Sequence, residues 1–167
     1  WPAFHAAHPE WQLLHLTGPA DEAAVRAAYA AARAPARVVS FTHEMWLALS
    51  AADVVISRAG ASTLAELTTL GKPSLLLPYP YHRDRHQHVN AQVLVDAGAA
   101  VVLEDHLLPE RNELPLRDAL EGVAGEATRQ RMSAAAMKLG RPAAAVAVAN
   151  WLAATRPGAA AASLAGA

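Results

Sequence analysis

Apolar residues in the first two thirds of the chain fall into short runs, and helical spacing fills the stretches between them. Five such runs of four to six residues predict β-strands. They cover residues 12–17, 37–41, 54–57, 74–77 and 100–103. Four stretches between or beside them predict helices. They cover residues 21–33, 44–51, 61–70 and 86–97. The segment from 114 to 154 predicts two or three further helices.

The alternation of strands and helices is typical of βαβ units and a parallel sheet. The strands are continuously apolar, as expected where both faces of a sheet are covered. Right-handed crossovers then give a Rossmann-like, doubly wound α/β layer. We therefore predict one α/β domain over residues 1–154, followed by a flexible tail over 155–167 whose last charge is Arg156.

Composition narrows the function classes. The 167 residues suit one domain, and 53% of them are hydrophobic, with alanine the main contributor. The 14 basic and 15 acidic residues nearly cancel, which argues against a nucleic-acid-binding module. The absence of cysteine excludes disulfides and cysteine-based metal or thiol chemistry from these residues. No apolar run reaches the roughly 18 residues of a membrane span.

Polar residues concentrate where the predicted strands end, which is where ligands bind in such sheets. After the third strand, Gly60 turns the chain into a helix that begins at Ala61 or Ser62. The unpaired N–H groups of a helix start suit a phosphate. Glu66 shares a helix face with Ser62 and Thr63, so its carboxylate can accept hydrogen bonds from a ribose diol. The alternative is an ordinary helix in which Ser62 is the N-cap.

A second polar segment, 78–91, lies between a predicted strand and a helix. It can hydrogen-bond a sugar or a phosphate through His86 and Gln87, or it is a solvated surface loop. A metal site on His82 and His86 needs a third ligand and a helical register that Pro80 opposes. The trio 82–84 is similar to a kinase catalytic loop, but the other kinase motifs do not accompany it.

A third loop follows the second predicted strand at Phe41 and Thr42. Its backbone can hydrogen-bond the edge of a base. The simpler interpretation is a strand-to-helix turn with Thr42 or Glu44 near the cap.

Five sequence blocks, in a fixed order, carry a resemblance to a known family. They are ADVVISRAGASTLAE at 52–66, GKPSLLLPY at 71–79, DRHQ at 84–87, NA at 90–91 and DAGAA at 96–100. Together they resemble the C-terminal half of the MurG family of bacterial glycosyltransferases. The resemblance runs from about residue 12 to 104 and continues weakly to about 154. Members of that family transfer N-acetylglucosamine from UDP-N-acetylglucosamine to lipid I, which makes lipid II for peptidoglycan.

The resemblance implies a GT-B fold, in which two Rossmann-like domains face each other across a cleft, and a C-terminal domain that binds the UDP-sugar. It implies donor contacts at Thr42, Ala61, Ser62, Thr63, Glu66, His86 and Gln87. The Thr42 main chain would meet the uracil, the helix start at 61–63 the diphosphate and sugar, and Glu66 the ribose. The family has paired glutamines where this chain has His86 and Gln87, so Gln87 alone matches in type.

The resemblance also implies parts that these residues do not contain. The family's domain opens with a strand and a Gly-Gly-Ser-Gln-Gly loop, so Trp1 and Pro2 would fall in the helix that follows, and a sheet edge would be uncovered. The general base, the lipid I site and the membrane-binding face belong to the N-terminal domain. We expect these residues alone to be inactive, and the whole enzyme to be cytoplasmic and peripheral on the inner face of the membrane.

The implied reaction is an inverting direct displacement that needs no metal and no cofactor, and the chain has no Asp-x-Asp motif. Alternatives stay open. They are another GT-B lipid glycosyltransferase, one subunit of a split enzyme, a non-catalytic nucleotide-sugar-binding module, and a related epimerase.

Overall fold

The computed structural model describes residues 1–81 and 85–155. The strands are β1 (Leu14–Leu16), β2 (Arg37–Val39), β3 (Val55–Ser57), β4 (Ser74–Leu76) and β5 (Ala100–Val102). The helices are α1 (Pro2–Ala7), α2 (Glu22–Ala31), α3 (Met45–Ala51), α4 (Ala61–Thr69), α5 (His86–Asp96), α6 (Pro109–Ala124), α7 (Glu126–Leu139) and α8 (Ala144–Ala154). The predicted alternation is confirmed, with strands shorter than the apolar runs that predicted them.

The strands pair in parallel, as predicted, but in two hydrogen-bonded groups. One group is β1–β2, and the other is β3–β4–β5 with β4 in the centre. The doubly wound order 3-2-1-4-5-6 accounts for this division. If β1 and β2 are its strands 2 and 3, and β3 to β5 its strands 4 to 6, then strand 1 belongs between β1 and β3. No described residue supplies that strand.

The core lies on both faces of β4. Leu75 and Leu76 are neighbours in the strand, so their side chains point to opposite faces. Leu76 packs in a cluster with Leu67 of α4 and Ala136 of α7, whereas Leu75 packs in a second cluster with Phe4 of α1. All four leucine and phenylalanine side chains are at most 1% exposed. The predicted coverage of both faces is therefore confirmed for β4, whereas Leu14 of β1, Ile56 of β3 and Val101 of β5 are exposed.

Helix ends agree with the sequence pattern at several points. Gly71 and Gly98 follow α4 and α5 with φ of 63° and 76°, a backbone region that glycine adopts without strain. The predicted helix at the start of the chain is α1. The prediction was wrong at α6, which begins at Pro109 rather than near 114 and includes Pro115. Proline is favoured in the first helical turn, so Pro109 marks the true start.

The last described helix, α8, is apolar and exposed along its length. Within residues 1–81 and 85–155, no helix combines the length and the apolar character that crossing a membrane requires. The predicted flexible tail falls, from residue 156 onward, outside the described residues.

Candidate functional site

The start of α4 stands at the carboxyl end of β3 and is open. Gly60 is its N-cap, with extended backbone at φ −70° and ψ 143°, and no side chain caps the helix. The bond from the Leu64 N–H to the Gly60 carbonyl, at 2.9 Å, is the first within the helix. The N–H groups of residues 61–63 therefore have no partner inside α4. Ser62 is the second helical residue, so the interpretation of Ser62 as N-cap is wrong: that position needs the extended backbone that Gly60 has.

Neither backbone conformation nor packing requires glycine at position 60. Its φ is ordinary, and an added Cβ would meet nothing closer than the Thr63 hydroxyl, at 3.8 Å. The preceding residue, Ala59, is completely buried and fixes the loop against the core. The small residues thus leave space above a rigid helix start, as an approaching anion needs.

Glu66 lies on the exposed surface of α4, one helical turn after Ser62. Residues four apart lie on one helix face, so the Glu66 carboxylate and the Ser62 hydroxyl, also exposed, border the same space. Thr63 is half-buried beside them. The geometry keeps an acceptor group close to a row of donors.

The start of α5 positions the second polar segment. His86 and Gln87 are its first two residues, and the N-cap Arg85 has the left-handed conformation φ 51°, ψ 22°, which is uncommon for a non-glycine residue. The Tyr79 N–H donates to Gln87 Oε1 at 2.8 Å. A backbone N–H can only donate, so this bond sets the orientation of the Gln87 amide and directs Nε2 elsewhere as a donor.

Arg58 connects the loops that follow β3, β4 and β5. Its Nη1 donates to the Leu77 carbonyl at 3.0 Å and to the Pro78 carbonyl at 3.4 Å. Its Nη2 lies 2.7 Å from Asp105 Oδ2, and its guanidinium carbon lies 5.6 Å from the centre of the Tyr79 ring. Sequence reasoning missed this residue, although it stands inside the block at 52–66 that carries the resemblance.

Asp105 receives Arg58 from the loop after β5. Its side chain is 8% exposed, and its Oδ1 accepts from the Leu107 N–H at 2.9 Å and from Asn112 Nδ2 at 2.8 Å. The Leu107 N–H is the main reason that the pKa of Asp105 lies below its ordinary value of 3.8, and Asn112 and Arg58 lower it further, against burial, which raises it. Asp105 is therefore an anion at neutral pH.

Thr42 lies in the loop after β2, which belongs to the other strand group. The Glu44 N–H donates to its hydroxyl at 3.0 Å, which makes a local turn just before α3. The neighbouring Phe41 is exposed and packs edge-on against His43, with ring centres 4.8 Å apart. The contact of Thr42 with a base stays a prediction.

The metal alternative depended on His82, which lies with Arg83 and Asp84 outside the described residues. In the parts of the chain that the structure describes, no three His, Asp or Glu side chains are grouped closely enough to hold a metal ion. The chemistry that the geometry offers is hydrogen bonding. Donors stand at the starts of α4 and α5, and the Glu66 carboxylate is an acceptor between them in the chain.

Known proteins are similar to this chain in sequence and in fold. The chain is 49% identical over 128 residues to the UDP-N-acetylglucosamine--N-acetylmuramyl-(pentapeptide) pyrophosphoryl-undecaprenol N-acetylglucosamine transferase of Sorangium cellulosum, covering 75% of this chain and 31% of that protein. It is 42% identical over 139 residues to the protein of the same name from Anaeromyxobacter sp. strain K, covering 83% and 36%. The chain thus spans about a third of the length of the curated relatives it matches.

Among solved structures, MurG of Acinetobacter baumannii matches with a TM-score of 0.75 and 30% identity, covering 84% of this chain and 40% of that one. The kitacinnamycin glycosyltransferase matches in fold, with a TM-score of 0.60 and 24% identity, covering 83% and 33%. These matches confirm the Rossmann-like half of a GT-B fold. Residues 2–148 match the glycosyltransferase family 28 C-terminal domain, and the chain therefore belongs to that family.

Proposed function

We propose that this chain binds UDP-N-acetylglucosamine and is the donor-binding part of a transferase that makes lipid II from lipid I. The observation that carries the proposal is the uncapped start of α4 with Glu66 on its exposed surface one turn later. Membership of family 28 and the names of the relatives support it. The acceptor, and the activity of the whole enzyme, are part of the proposal.

Each part of the donor has a chemical partner in the site. The N–H groups of residues 61–63 suit the diphosphate, because they are unpaired donors at the positive end of a helix dipole. The Glu66 carboxylate accepts from both ribose hydroxyls. Gln87 Nε2 donates to a sugar hydroxyl, beside His86. The main chain at Thr42 meets the edge of the uracil.

The proposed reaction is a single displacement. An acceptor hydroxyl gives up its proton to a general base and attacks C1 of the sugar. The bond from C1 to the β-phosphate oxygen breaks, and UDP leaves with the electron pair. Attack from the face opposite the leaving group inverts C1. The donors at the start of α4 stabilise the charge that develops on UDP, which is why we propose that no metal is needed.

The remaining parts of the reaction are assigned elsewhere. We place the general base, the lipid I site and the contact with the cytoplasmic face of the membrane in the roughly two thirds of the relatives' length that this chain does not span. We therefore expect donor binding but no turnover from the 167 residues alone.

Isothermal titration with UDP-N-acetylglucosamine tests the proposal. We expect Glu66→Ala to lose about 10- to 100-fold in affinity, about 1–3 kcal/mol, because the ribose hydroxyls lose a charged acceptor. Glu110→Ala, at the exposed start of α6, is the matched control and should bind like the wild type. Equal affinity of the Glu66→Ala and wild-type chains would remove the ribose role, and no binding by the wild type would refute the proposal. Titration in EDTA checks the metal independence of binding.

One difference from the family pattern makes a comparison with other UDP-sugars worthwhile. His86 stands where the family has a glutamine, and this residue borders the place proposed for the sugar. Titration with UDP-glucose and UDP-galactose, beside UDP-N-acetylglucosamine, decides between the proposed donor and a related glycosyltransferase or epimerase that uses another sugar.

A further inference from the structure

The contacts of Arg58 with three loops have a consequence for the sugar. We propose that Arg58 and Asp105 form a positioning pair that sets the Gln87 amide for the donor sugar. This proposal rests on the proposed function, since it assigns the sugar to Gln87. Neither Arg58 nor Asp105 needs to touch the donor, because both act through the segment 77–79 that follows β4.

The first step is the anchoring of Asp105. Two donors hold its Oδ1, the Leu107 N–H from its own loop and Asn112 Nδ2 from α6. Asn112 is itself fixed, because the His106 N–H donates to its Oδ1 at 2.9 Å. The second carboxylate oxygen, Oδ2, faces Arg58. Asp105 is therefore a nearly buried anion that is held in place before Arg58 is considered.

In the second step, Arg58, which Asp105 holds, fixes the loop after β4. The Arg58 guanidinium is planar and uses two nitrogens in different directions, Nη2 toward Asp105 and Nη1 toward the carbonyls of Leu77 and Pro78. Its central carbon lies over the ring of Tyr79, 5.6 Å from the ring centre. A lysine has one nitrogen and no planar fork, so it cannot make these contacts together. The loop after β4 is thus tied to the loop after β5 through one side chain.

The third step connects the segment to Gln87. The Tyr79 N–H belongs to the tied segment and holds Gln87 Oε1 at 2.8 Å. A shift of residues 77–79 therefore moves or releases the Gln87 amide. The start of α4 is anchored separately, through completely buried Ala59. Loss of the pair should accordingly disturb the sugar contact and leave the diphosphate contact in place.

The first test needs no ligand. Amide hydrogen exchange is measured residue by residue on Arg58→Lys, Asp105→Asn and the control Arg141→Lys. Arg141 is a suitable control because its described hydrogen bonds go to the carbonyls of residues 138–140, just before it in the chain. We expect Tyr79 N–H to exchange about tenfold faster in the first two variants, because its bond to Gln87 is weakened, and to be unchanged in the control. An unchanged Tyr79 rate in both variants overturns the positioning pair.

The second test separates positioning from general damage. Affinities for UDP-N-acetylglucosamine and for UDP are measured by titration. We expect Arg58→Lys to weaken the sugar nucleotide about five- to tenfold and to leave UDP unchanged, since one hydrogen bond is affected. In a Gln87→Ala background, Arg58→Lys should cause no further loss, because its effect passes through Gln87.

The outcomes are distinct. Equal losses for both ligands, or losses that add with Gln87→Ala, overturn the positioning role and leave the proposed function standing. A wild-type chain that binds neither ligand refutes the proposed function and the sugar role together. The Tyr79 exchange rates still decide in that case whether the pair holds the loop.

Discussion

Replacing Asp105 by asparagine should destabilise the fold by an amount that depends on pH. Asparagine keeps one oxygen, which can serve the Leu107 N–H and Asn112, and places an NH₂ group where Oδ2 now faces Arg58 at 2.7 Å. One charge-assisted bond is lost, and two donors then face each other. Hydrogen bonds to charged groups contribute roughly 1.5–3 kcal/mol. Because Arg58 is 46% exposed and its ion pair is screened, we expect about 1–2 kcal/mol at pH 7.

The pH dependence follows from the lowered pKa of Asp105, whose main cause is the Leu107 N–H. In the unfolded chain the carboxyl takes up its proton near 3.8, whereas in the folded chain it does so only at lower pH. Between these two pKa values the unfolded state binds more protons, so folding stability falls as pH falls. The contribution of Asp105 is therefore complete above the unfolded pKa and is lost as pH decreases through the folded one.

Urea unfolding of the wild type and Asp105→Asn, followed by circular dichroism from pH 7 down to pH 3, measures this contribution. The difference in free energy of unfolding should be constant from pH 7 to about pH 5 and should shrink below the ordinary pKa. Asp118→Asn is the control, because that carboxylate is exposed and pairs only with its neighbour Arg117 among the described contacts. A difference that stays the same across the whole range, or is absent at pH 7, would show that the Asp105 charge does not stabilise the fold.

Two further predictions concern packing and helix ends. Gly140→Ala should lower the free energy of unfolding by about 1–3 kcal/mol, because its Cβ would lie 2.8 Å from the Thr68 carbonyl oxygen. Gly122→Ala inside α6 meets nothing within 4 Å and should raise the free energy of unfolding by about 0.5–1 kcal/mol. Thermal unfolding ranks the two variants, and equal midpoints would contradict the packing at Gly140. Lys72→Met should cost about 1 kcal/mol in urea unfolding, because Lys72 Nζ donates to two carbonyls at the end of α3 at 2.8 and 2.9 Å; an unchanged midpoint would contradict that role.

The sequence predicted those elements whose signals are local. Each strand is an apolar run, and each of α4 and α5 is followed by a glycine with positive φ. Hydrophobic periodicity and turn residues were therefore sufficient to predict them. The predicted start at Leu114 is five residues late, and Pro115 is the seventh residue of α6. Proline at that depth removes a helical hydrogen bond, so the local pattern does not predict a helix that continues through Pro115.

Within the candidate site, too, only the features with local sequence signals were predictable. The helix starts at Gly60 and Arg85 were predictable from short segments, and the structure shows both. The link between Arg58 and Asp105 was not predictable, because it joins loops that are distant in the chain and depends on the order of β3, β4 and β5. A contact between two loops that follow different strands leaves no periodic pattern in the sequence.

The division of the strands separates the proposed contacts into two groups. The diphosphate, ribose and sugar contacts follow β3 and β4, which lie in one hydrogen-bonded group and are tied further by Arg58. The proposed base contact, at Thr42, follows β2 in the other group. In the doubly wound order, the strand between β1 and β3 fixes the two groups to each other, and no described residue supplies it. We therefore expect the affinity for the diphosphate and sugar to come from the β3–β5 group, and discrimination of the base to depend on how the two strand groups are held together.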